Sequence, residues 1–253
     1  MAEREPWRTV WITGASTGLG REMAVQLARH GVKVAVSARS EEKLKSLAKE
    51  VANVFPYPLN VTDVSSLEQA VQDIEKNLGP IDLAVFNAGT YEPQPAEQMD
   101  HASFHHIMAV NYSGAVSGVI AVLGPMRNRA AGHIAIVASV AGYRGLPNAG
   151  AYGSTKAALI NFAESIKTEI ERDGIITSVI NPGFIDTPMT QKNDFPMPFL
   201  MDVEQAAKTT IAGLRAGKFE VAYPMKLVLI LKLMRILPYW LYFALIERFV
   251  LRK

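Results

Sequence analysis

The chain has 253 residues, of which 49% are hydrophobic and 20% are charged, a composition typical of folded globular proteins. Its 26 basic residues are nearly balanced by 24 acidic ones, giving a net charge of +2, which argues against an electrostatic binder of nucleic acid. The absence of cysteine excludes disulfides, thiolate nucleophiles and cysteine-based zinc sites.

Short β-branched runs alternate with helical stretches along the whole chain. In chain order, the pattern predicts strands at 9–13, 32–37, 54–58, 81–86, 133–137, 175–180 and 219–223. It predicts helices at 21–30, 41–51, 64–78, 104–126, 149–172 and 203–214. Strands that are apolar throughout are buried on both faces, as in parallel sheets with right-handed crossovers. We therefore predict one α/β domain with a doubly wound, Rossmann-like parallel sheet over 1–225, followed by a helical, hydrophobic and basic extension at 226–253.

Three glycines follow the first predicted strand, in the segment Thr13-Gly14-Ala-Ser-Thr-Gly18-Leu-Gly20. Gly14 and Gly18 permit a tight turn close to a ligand, and Gly20 permits close packing of helix on strand. The N-terminus of the next helix offers free N–H groups to a pyrophosphate. An ordinary glycine turn is the alternative, but the position at the first strand-to-helix junction favours a dinucleotide site.

The end of the second strand, Val36-Ser37-Ala38-Arg39-Ser40, indicates which dinucleotide is bound. An acidic residue here would bind the ribose 2′-hydroxyl of NAD. Arg39 flanked by Ser37 and Ser40 instead suits a 2′-phosphate through charge-assisted hydrogen bonds. NADP(H) is therefore the predicted cofactor, with a solvated loop arginine as the alternative.

Tyr152 and Lys156 are four residues apart in a predicted helix, so both side chains lie on one helix face. The reference pKa of tyrosine is about 10, and an adjacent ammonium together with an oxidised nicotinamide ring would lower this pKa. Tyr152 is then suited to exchange a proton with an oxygen as hydride moves at the neighbouring carbon. Ser139, at the end of an apolar strand, is placed to hydrogen-bond the same oxygen. An exposed helical pair is the alternative for the tyrosine and lysine alone.

The glycine loop, Ser139 and the Tyr152–Lys156 pair, in this order, resemble the short-chain dehydrogenase/reductases across residues 8–225. The resemblance implies an enzyme that interconverts alcohols and carbonyls with a nicotinamide cofactor. It gives Lys156 a second role, holding the nicotinamide ribose hydroxyls. It also implies that Asn111 is the family's catalytic asparagine, which bends its helix and holds a water linking Lys156 to solvent.

Two further segments match the family, and two positions depart from it. Residues 87–89 correspond to its N-A-G motif, which steadies the central sheet, and residues 181–187 correspond to its N-P-G-x-x-x-T stretch beside the nicotinamide. Asn60 replaces the usual aspartate near the adenine, and Phe86 replaces an asparagine before the N-A-G motif. The residues predicted to contact the cofactor are Gly14, Ser16, Thr17, Gly18, Leu19, Gly20, Arg39, Ser40, Asn60, Val61, Asn87, Ala88, Gly89, Tyr152, Lys156, Pro182, Gly183, Ile185 and Thr187.

Two other clusters contain residue types that can bind a metal or a substrate. His101, His105 and His106 are interpreted as a solvated helix start rather than a metal site, so no metal is predicted. The methionines and phenylalanines of 195–201 follow Thr187, where the family places a mobile lid. They suit a lipophilic substrate, and a packed lid core is the alternative.

The segment 226–253 holds six basic residues and one acid among many large apolar residues. Its longest uncharged run, 236–246, is well short of the roughly 20 residues of a membrane-spanning helix. The pattern fits two short helices in a bilayer interface, with a dimer contact or a cover over the substrate cleft as alternatives. The charged start lacks the apolar segment of a signal peptide. We expect a cytoplasmic homodimer that contacts membranes peripherally through 226–253.

The predicted function is an NADPH-dependent reductase of a carbonyl, reversibly an alcohol dehydrogenase. The lid and the C-terminal segment favour a hydrophobic small-molecule substrate, such as a long-chain keto lipid, a steroid or a 3-oxoacyl compound. A reductase of small aromatic or aliphatic ketones, and a non-catalytic NADP(H) sensor, are the alternatives.

Overall fold

A computed structural model describes residues 5–251, so the first residues of the charged start and the basic pair Arg252 and Lys253 lie outside the described part. Seven parallel strands form one sheet in the order β3-β2-β1-β4-β5-β6-β7. The predicted doubly wound α/β fold is confirmed. The strands are β1 Thr9–Thr13, β2 Lys33–Ser37, β3 Val54–Pro56, β4 Leu83–Phe86, β5 Gly132–Val137, β6 Ile175–Pro182 and β7 Glu220–Tyr223.

The strand order places the switch in chain direction between β1 and β4, where open α/β sheets bind their ligands. The helices are α1 Gly18–Arg29, α2 Glu41–Glu50, α3 Val64–Leu78, α4 His101–Met108, α5 Gly114–Asn128, α6 Gly150–Ile170, α7 Val203–Arg215, α8 Met225–Ile236 and α9 Tyr239–Ile246.

The core lies on both faces of the sheet, as the continuous apolar strands predict. Successive side chains of a strand point to opposite faces. In β1, Val10 and Ile12 pack with α1, α2 and α7, whereas Trp11 packs on the other face with α3, α5 and α6. All five residues of β1 are buried, which makes it the centre of the molecule and fixes the position of the glycine loop at its end.

The prediction of one continuous helix at 104–126 is wrong. Two α-helices, α4 and α5, are separated by a π-helical turn at Ala109–Ser113. The helix also begins earlier, at His101, because the Asp100 side chain caps it by accepting a hydrogen bond from the Ser103 N–H.

Residues His101–Asn128 are the one helical stretch of the described chain whose length and hydropathy would suit a membrane span. Its C-terminal half, α5, packs in the core, where one glycine permits close approach to β4 and another to the segment after β3. A Cβ at Gly118 would lie 2.3 Å from Cε1 of Phe86, and one at Gly114 would lie 2.9 Å from Cγ2 of Val61.

Candidate active site

An elongated cleft of about 710 Å³ runs along the carboxyl ends of the central strands. It is lined by every residue predicted to contact the cofactor except Gly20, which is buried beneath the loop. The carboxyl ends of parallel strands meet at one edge of a sheet, so segments distant in the sequence converge here. The cleft also has walls that sequence reasoning missed, namely Ala38, Lys43, Leu59, Thr90, Val110, Val137, Ala138, Pro188, Met189 and Thr190.

The glycine loop has the geometry that a bound pyrophosphate requires. Gly14 and Gly18 have φ of +68° and +58°, in the left-handed region that favours glycine. A Cβ at Gly14 would lie 2.6 Å from Cα of Ala88, so the loop also packs too tightly for a side chain. Thr17 precedes α1 without a side-chain capping hydrogen bond, which leaves the first N–H groups of the helix for an anion. The residues present fit a dinucleotide.

Asn87 and Ala88 tie the end of β4 to this loop. The Asn87 side chain donates from Nδ2 to the carbonyl oxygens of Thr13 and Gly14, at 3.0 and 3.1 Å. The Ala88 N–H donates to Thr13 Oγ1 at 3.2 Å. Gly20 is needed for this arrangement, because a Cβ there would lie 2.4 Å from Asn87 Nδ2. These contacts supply the steadying role that the resemblance implied for the motif.

The segment after β2 and the first turn of α2 also line the cleft, through Arg39, Ser40 and Lys43. Arg39 is exposed, and within residues 5–251 neither its guanidinium nor the Lys43 ammonium forms an ion pair. The expectation that Ser37 flanks the 2′-phosphate is wrong. Its side chain is fully buried and accepts a hydrogen bond from Trp11 Nε1 at 2.9 Å, because strand alternation turns it into the core.

Helix α6 brings Tyr152 and Lys156 to the opposite end of the cleft, on one helix face as predicted. Lys156 Nζ lies 5.5 Å from the centre of the Tyr152 ring and donates to the carbonyl oxygen of Val137 at 2.8 Å. Ser139 follows β5, and its hydroxyl donates to the carbonyl oxygen of Pro182 at 3.3 Å while accepting from the Ala141 N–H at 3.1 Å. The three side chains form one constellation.

Burial dominates the ionisation of this pair. It raises the pKa of Tyr152 to about 12, while a side-chain hydrogen bond with Ser139 acts in the opposite direction. Burial lowers the pKa of Lys156 to about 8. The expected lowering of the tyrosine pKa by the lysine is therefore not provided by the protein groups alone, since desolvation disfavours both charged forms.

Asn111 lies in the π-helical turn behind the cleft and is fully buried. Its Oδ1 accepts from the Thr90 N–H at 2.7 Å, and its Nδ2 donates to the Thr90 carbonyl at 2.9 Å and to Thr155 Oγ1 at 3.2 Å. The side chain thus holds the loop after β4 against α6. Both Asn111 and Lys156 border Gly89, where a Cβ would lie 3.5 Å from Asn111 Oδ1 and 3.7 Å from Lys156 Nζ.

Tyr91 is a further aromatic residue at the catalytic end that no motif indicated. Its ring meets the Tyr152 ring edge-on, with centroids 5.0 Å apart and planes at 71°. Its hydroxyl donates to Asn193 Oδ1 at 2.9 Å, which links the catalytic end to the segment after β6. Burial raises the pKa of Tyr91, so its hydroxyl keeps its proton and acts as a donor.

Residues 8–196 match the protein family described as short chain dehydrogenase. The chain belongs to this family. It is therefore an oxidoreductase that acts on CH–OH and C=O groups, and the resemblance drawn from the motifs is confirmed.

Two relatives of this short-chain dehydrogenase show how far the similarity extends. An uncharacterized oxidoreductase of Myxococcus xanthus is 36% identical over 242 residues, covering 94% of this chain and 95% of the relative. The 3-oxoacyl-[acyl-carrier-protein] reductase FabG of Salmonella typhimurium is 35% identical over 181 residues, covering 71% of this chain and 74% of the relative.

Two solved structures show the same fold. A short-chain dehydrogenase from Streptomyces avermitilis superposes with a TM-score of 0.82 at 22% identity, covering 95% of this chain and 96% of that one. A short-chain dehydrogenase from Sphingobium yanoikuyae in complex with NADPH superposes with a TM-score of 0.78 at 23% identity, covering 86% and 88%.

In this dehydrogenase, the lid predicted after Thr187 is partly packed and partly exposed. The Phe195 ring meets the Phe184 ring edge-on, with centroids 6.0 Å apart, and the Met201 N–H donates to the Phe184 carbonyl at 2.9 Å. Phe195, Phe199 and Leu200 are nevertheless exposed. A packed lid and an apolar surface for substrate both stay predictions for this segment.

The three histidines of α4 are exposed, and none of them lines the cleft. The nearby Asp100 carboxylate accepts from the Ser103 N–H at 2.8 Å and from Gln94 Nε2 at 3.0 Å. One oxygen thus caps the helix and the other holds Gln94, and the absence of a metal site stays a prediction.

Proposed function

We propose that this protein is an NADPH-dependent reductase of ketones or aldehydes, reversible as an alcohol dehydrogenase, with a hydrophobic substrate. One observation carries the proposal. A single cleft joins two cations, Arg39 and Lys43, at one end to Ser139, Tyr152 and Lys156 at the other. Such a cleft has room for an extended dinucleotide with its charged ribose at one end and its reactive ring at the other.

The electrostatics of the cleft support NADP(H) over NAD(H). Among the described residues that line it, none is acidic, so no carboxylate is placed to accept from a ribose 2′-hydroxyl. A 2′-phosphate beside Arg39 and Lys43 would gain charge-assisted hydrogen bonds. The structural neighbour from Sphingobium yanoikuyae, which was solved with NADPH, is consistent with this choice.

The chemistry follows from the positions of three side chains. NADPH, when bound, supplies the hydride that reduces the carbonyl carbon. The Ser139 and Tyr152 hydroxyls donate hydrogen bonds to the carbonyl oxygen, where negative charge develops. The Tyr152 hydroxyl then transfers its proton to this oxygen. The Lys156 ammonium, oriented by the Val137 carbonyl, favours the phenolate that remains. The protonated state of Tyr152, maintained by burial, is the state that reduction requires.

The walls beyond the catalytic end favour a lipophilic substrate. Met189 lines the cleft. Tyr91 contacts the Tyr152 ring, and Phe184, next to the lining residues Gly183 and Ile185, contacts Phe195. Apolar and polarizable surfaces of this kind accommodate alkyl chains and ring systems. The relative that reduces a 3-oxoacyl group is consistent with a long-chain keto compound, and steroids and keto lipids belong to the same class.

The test is NADPH oxidation by the purified protein over a series of 3-oxoacyl thioesters, long-chain ketones, steroid ketones and small aromatic ketones. We expect turnover with NADPH and a rise in kcat/KM with chain length, at about tenfold for each two buried methylene groups. Turnover of small ketones alone would overturn the hydrophobic substrate class. Binding of NADPH without any turnover would overturn the enzymatic function.

A further inference from the structure

Helices α8 and α9 and the π-helical turn at Glu247–Leu251 form a surface rich in exposed apolar side chains, here called the tail face. Most of the large exposed apolar residues of the described chain lie on it. They are Met225, Leu229, Ile230, Leu233, Ile236, Tyr239, Trp240, Phe243, Phe249, Val250 and Leu251. An apolar surface of this extent is rare on a monomer unless another surface covers it.

The tail face is held rigidly by a residue from outside the tail. The Arg144 guanidinium donates to the carbonyl oxygens of Arg235 and Leu237, at 3.1 and 2.9 Å, and to that of Met234. It also lies over the Tyr242 ring, 3.9 Å from its centre. These bonds satisfy the last carbonyls of α8 and pack α9 against it. These contacts fix α8 and α9 on the rest of the molecule, while the apolar side chains of the tail face are exposed.

A second anchor fixes α8 to the sheet. Lys232 forms an ion pair with Glu220 of β7, and the same carboxylate accepts from the Tyr143 hydroxyl at 2.6 Å and from Asn181 Nδ2 at 3.0 Å. At its start, α8 packs through Leu227 against the backbone of Gly183, a wall of the cleft. The tail face therefore adjoins the catalytic end of the cleft.

The charges of the tail face indicate the kind of partner that it binds. Residues 225–251 contain four basic residues and the single acid Glu247, and Lys226, Arg235 and Arg248 are exposed beside the apolar side chains. Two helices of 12 and 8 residues are too short to span a bilayer, which takes about 20 residues. Apolar residues with tryptophan, tyrosine and basic neighbours are typical of helices that lie in a membrane interface.

A second copy of the chain suits this surface less well. A two-fold contact places a surface against itself. The exposed Lys226 and Arg248 of one copy would then lie near the same basic residues of the other copy, and 225–251 of each copy contributes a single acidic residue, Glu247, against this repulsion. Anionic lipid headgroups supply the opposite charge over the whole face. We infer that the tail face docks the protein on an anionic phospholipid bilayer, with the cleft beside the lipid surface.

The experiment is sedimentation of the full-length protein with vesicles of phosphatidylcholine alone and of phosphatidylcholine with 30% phosphatidylglycerol, a composition chosen as roughly that of an anionic leaflet. We expect binding to the anionic vesicles that weakens at high salt. Trp240→Glu with Leu233→Glu should lower binding more than tenfold, and Lys226→Ala should lower it about fivefold. The matched controls are Val64→Glu, an exposed apolar residue on α3, and Lys208→Ala on α7, which should bind as wild type.

Equal binding of the Trp240→Glu, Leu233→Glu variant and wild type would overturn the inference, as would the absence of vesicle binding. Self-association that this variant abolishes, without vesicle binding, would overturn it in favour of a contact between copies. Reductase activity on a water-soluble carbonyl is measured in parallel for all variants. Reductase activity of wild type without vesicle binding would overturn this inference alone, and vesicle binding of wild type without reductase activity would overturn the proposed function alone.

Discussion

Arg39 is the residue on which the choice of cofactor depends. Arg39→Asp should weaken NADPH binding by roughly tenfold to a hundredfold, because it removes charge-assisted hydrogen bonds and places a carboxylate near the 2′-phosphate. NADH binding should change little or improve, since the carboxylate accepts from a 2′-hydroxyl. Fluorescence titration with both cofactors measures this, with Lys49→Asp on the exposed side of α2 as the control. Equal losses for the two cofactors would mean that Arg39 does not contact the phosphate.

Tyr91 connects the catalytic tyrosine to the lid. Tyr91→Phe keeps the edge-on ring contact with Tyr152 and removes the hydrogen bond to Asn193, which contributes about 1 kcal/mol. We expect KM for the carbonyl to rise about fivefold with kcat nearly unchanged, because the lid closes less favourably over the substrate. Steady-state kinetics at saturating NADPH measures the two constants separately. A fall in kcat with unchanged KM would contradict this positioning role.

Lys156 lowers the stability of the fold near neutral pH. Its pKa, lowered by burial to about 8, returns to its ordinary value on unfolding, so the unfolded chain binds more protons between about pH 8 and 10.5. Across this window, the free energy of unfolding of wild type should rise relative to that of Lys156→Met by about 2–3 kcal/mol. Urea unfolding of both proteins at pH 7.5 and pH 10 tests this, since the shared titrations cancel. A constant difference between the two proteins would contradict it.

At the scale of elements, the π-helical turn between α4 and α5 depends on Asn111. Replacement of this asparagine by leucine leaves the N–H and carbonyl of Thr90 without their partners, which should lower the free energy of unfolding by about 3–5 kcal/mol. Thr155→Val removes the third hydrogen bond of the amide and the local bond from Thr155 Oγ1 to the Tyr152 carbonyl, and should cost about 1–2 kcal/mol. Urea unfolding compares the two variants. Similar small losses for both would show that the turn does not depend on the asparagine amide.

The elements that the sequence pattern predicted well are those fixed by local rules. The apolar strands and the glycine loop follow from side-chain alternation and from the backbone freedom of Gly14 and Gly18. The apolar pattern runs through Ala109–Ser113 and predicted one continuous helix there, whereas the resemblance implied a bend at Asn111. The contact that accompanies the bend, a hydrogen bond from the Thr90 N–H to Asn111, joins residues distant in the sequence. Ser37 was misplaced for a similar reason, since its partner Trp11 lies on the neighbouring strand.

At the scale of the whole molecule, composition indicated two short helices in the C-terminal segment, and α8 and α9 are present. The contacts that hold them were not predictable, because Arg144 lies about 90 residues before the carbonyls that it binds. The cleft showed the same limit. Its residues were predicted from local motifs and from the resemblance to the family. Lys43, which lines the cleft, and Tyr91, which contacts Tyr152, belong to no motif and reach these positions through the tertiary fold. The homodimer stays a prediction, to be measured by sedimentation equilibrium.

The central claim is that Tyr152 gives the carbonyl its proton. Tyr152→Phe removes the hydroxyl and keeps the ring against Tyr91, so NADPH should bind with an affinity close to that of wild type. Turnover of the best substrate should fall by about 10²–10⁴-fold, the usual contribution of a positioned acid. Single-turnover oxidation of NADPH, with cofactor binding measured on the same preparations, is the most direct test. A variant that binds NADPH and turns over as fast as wild type would contradict the account.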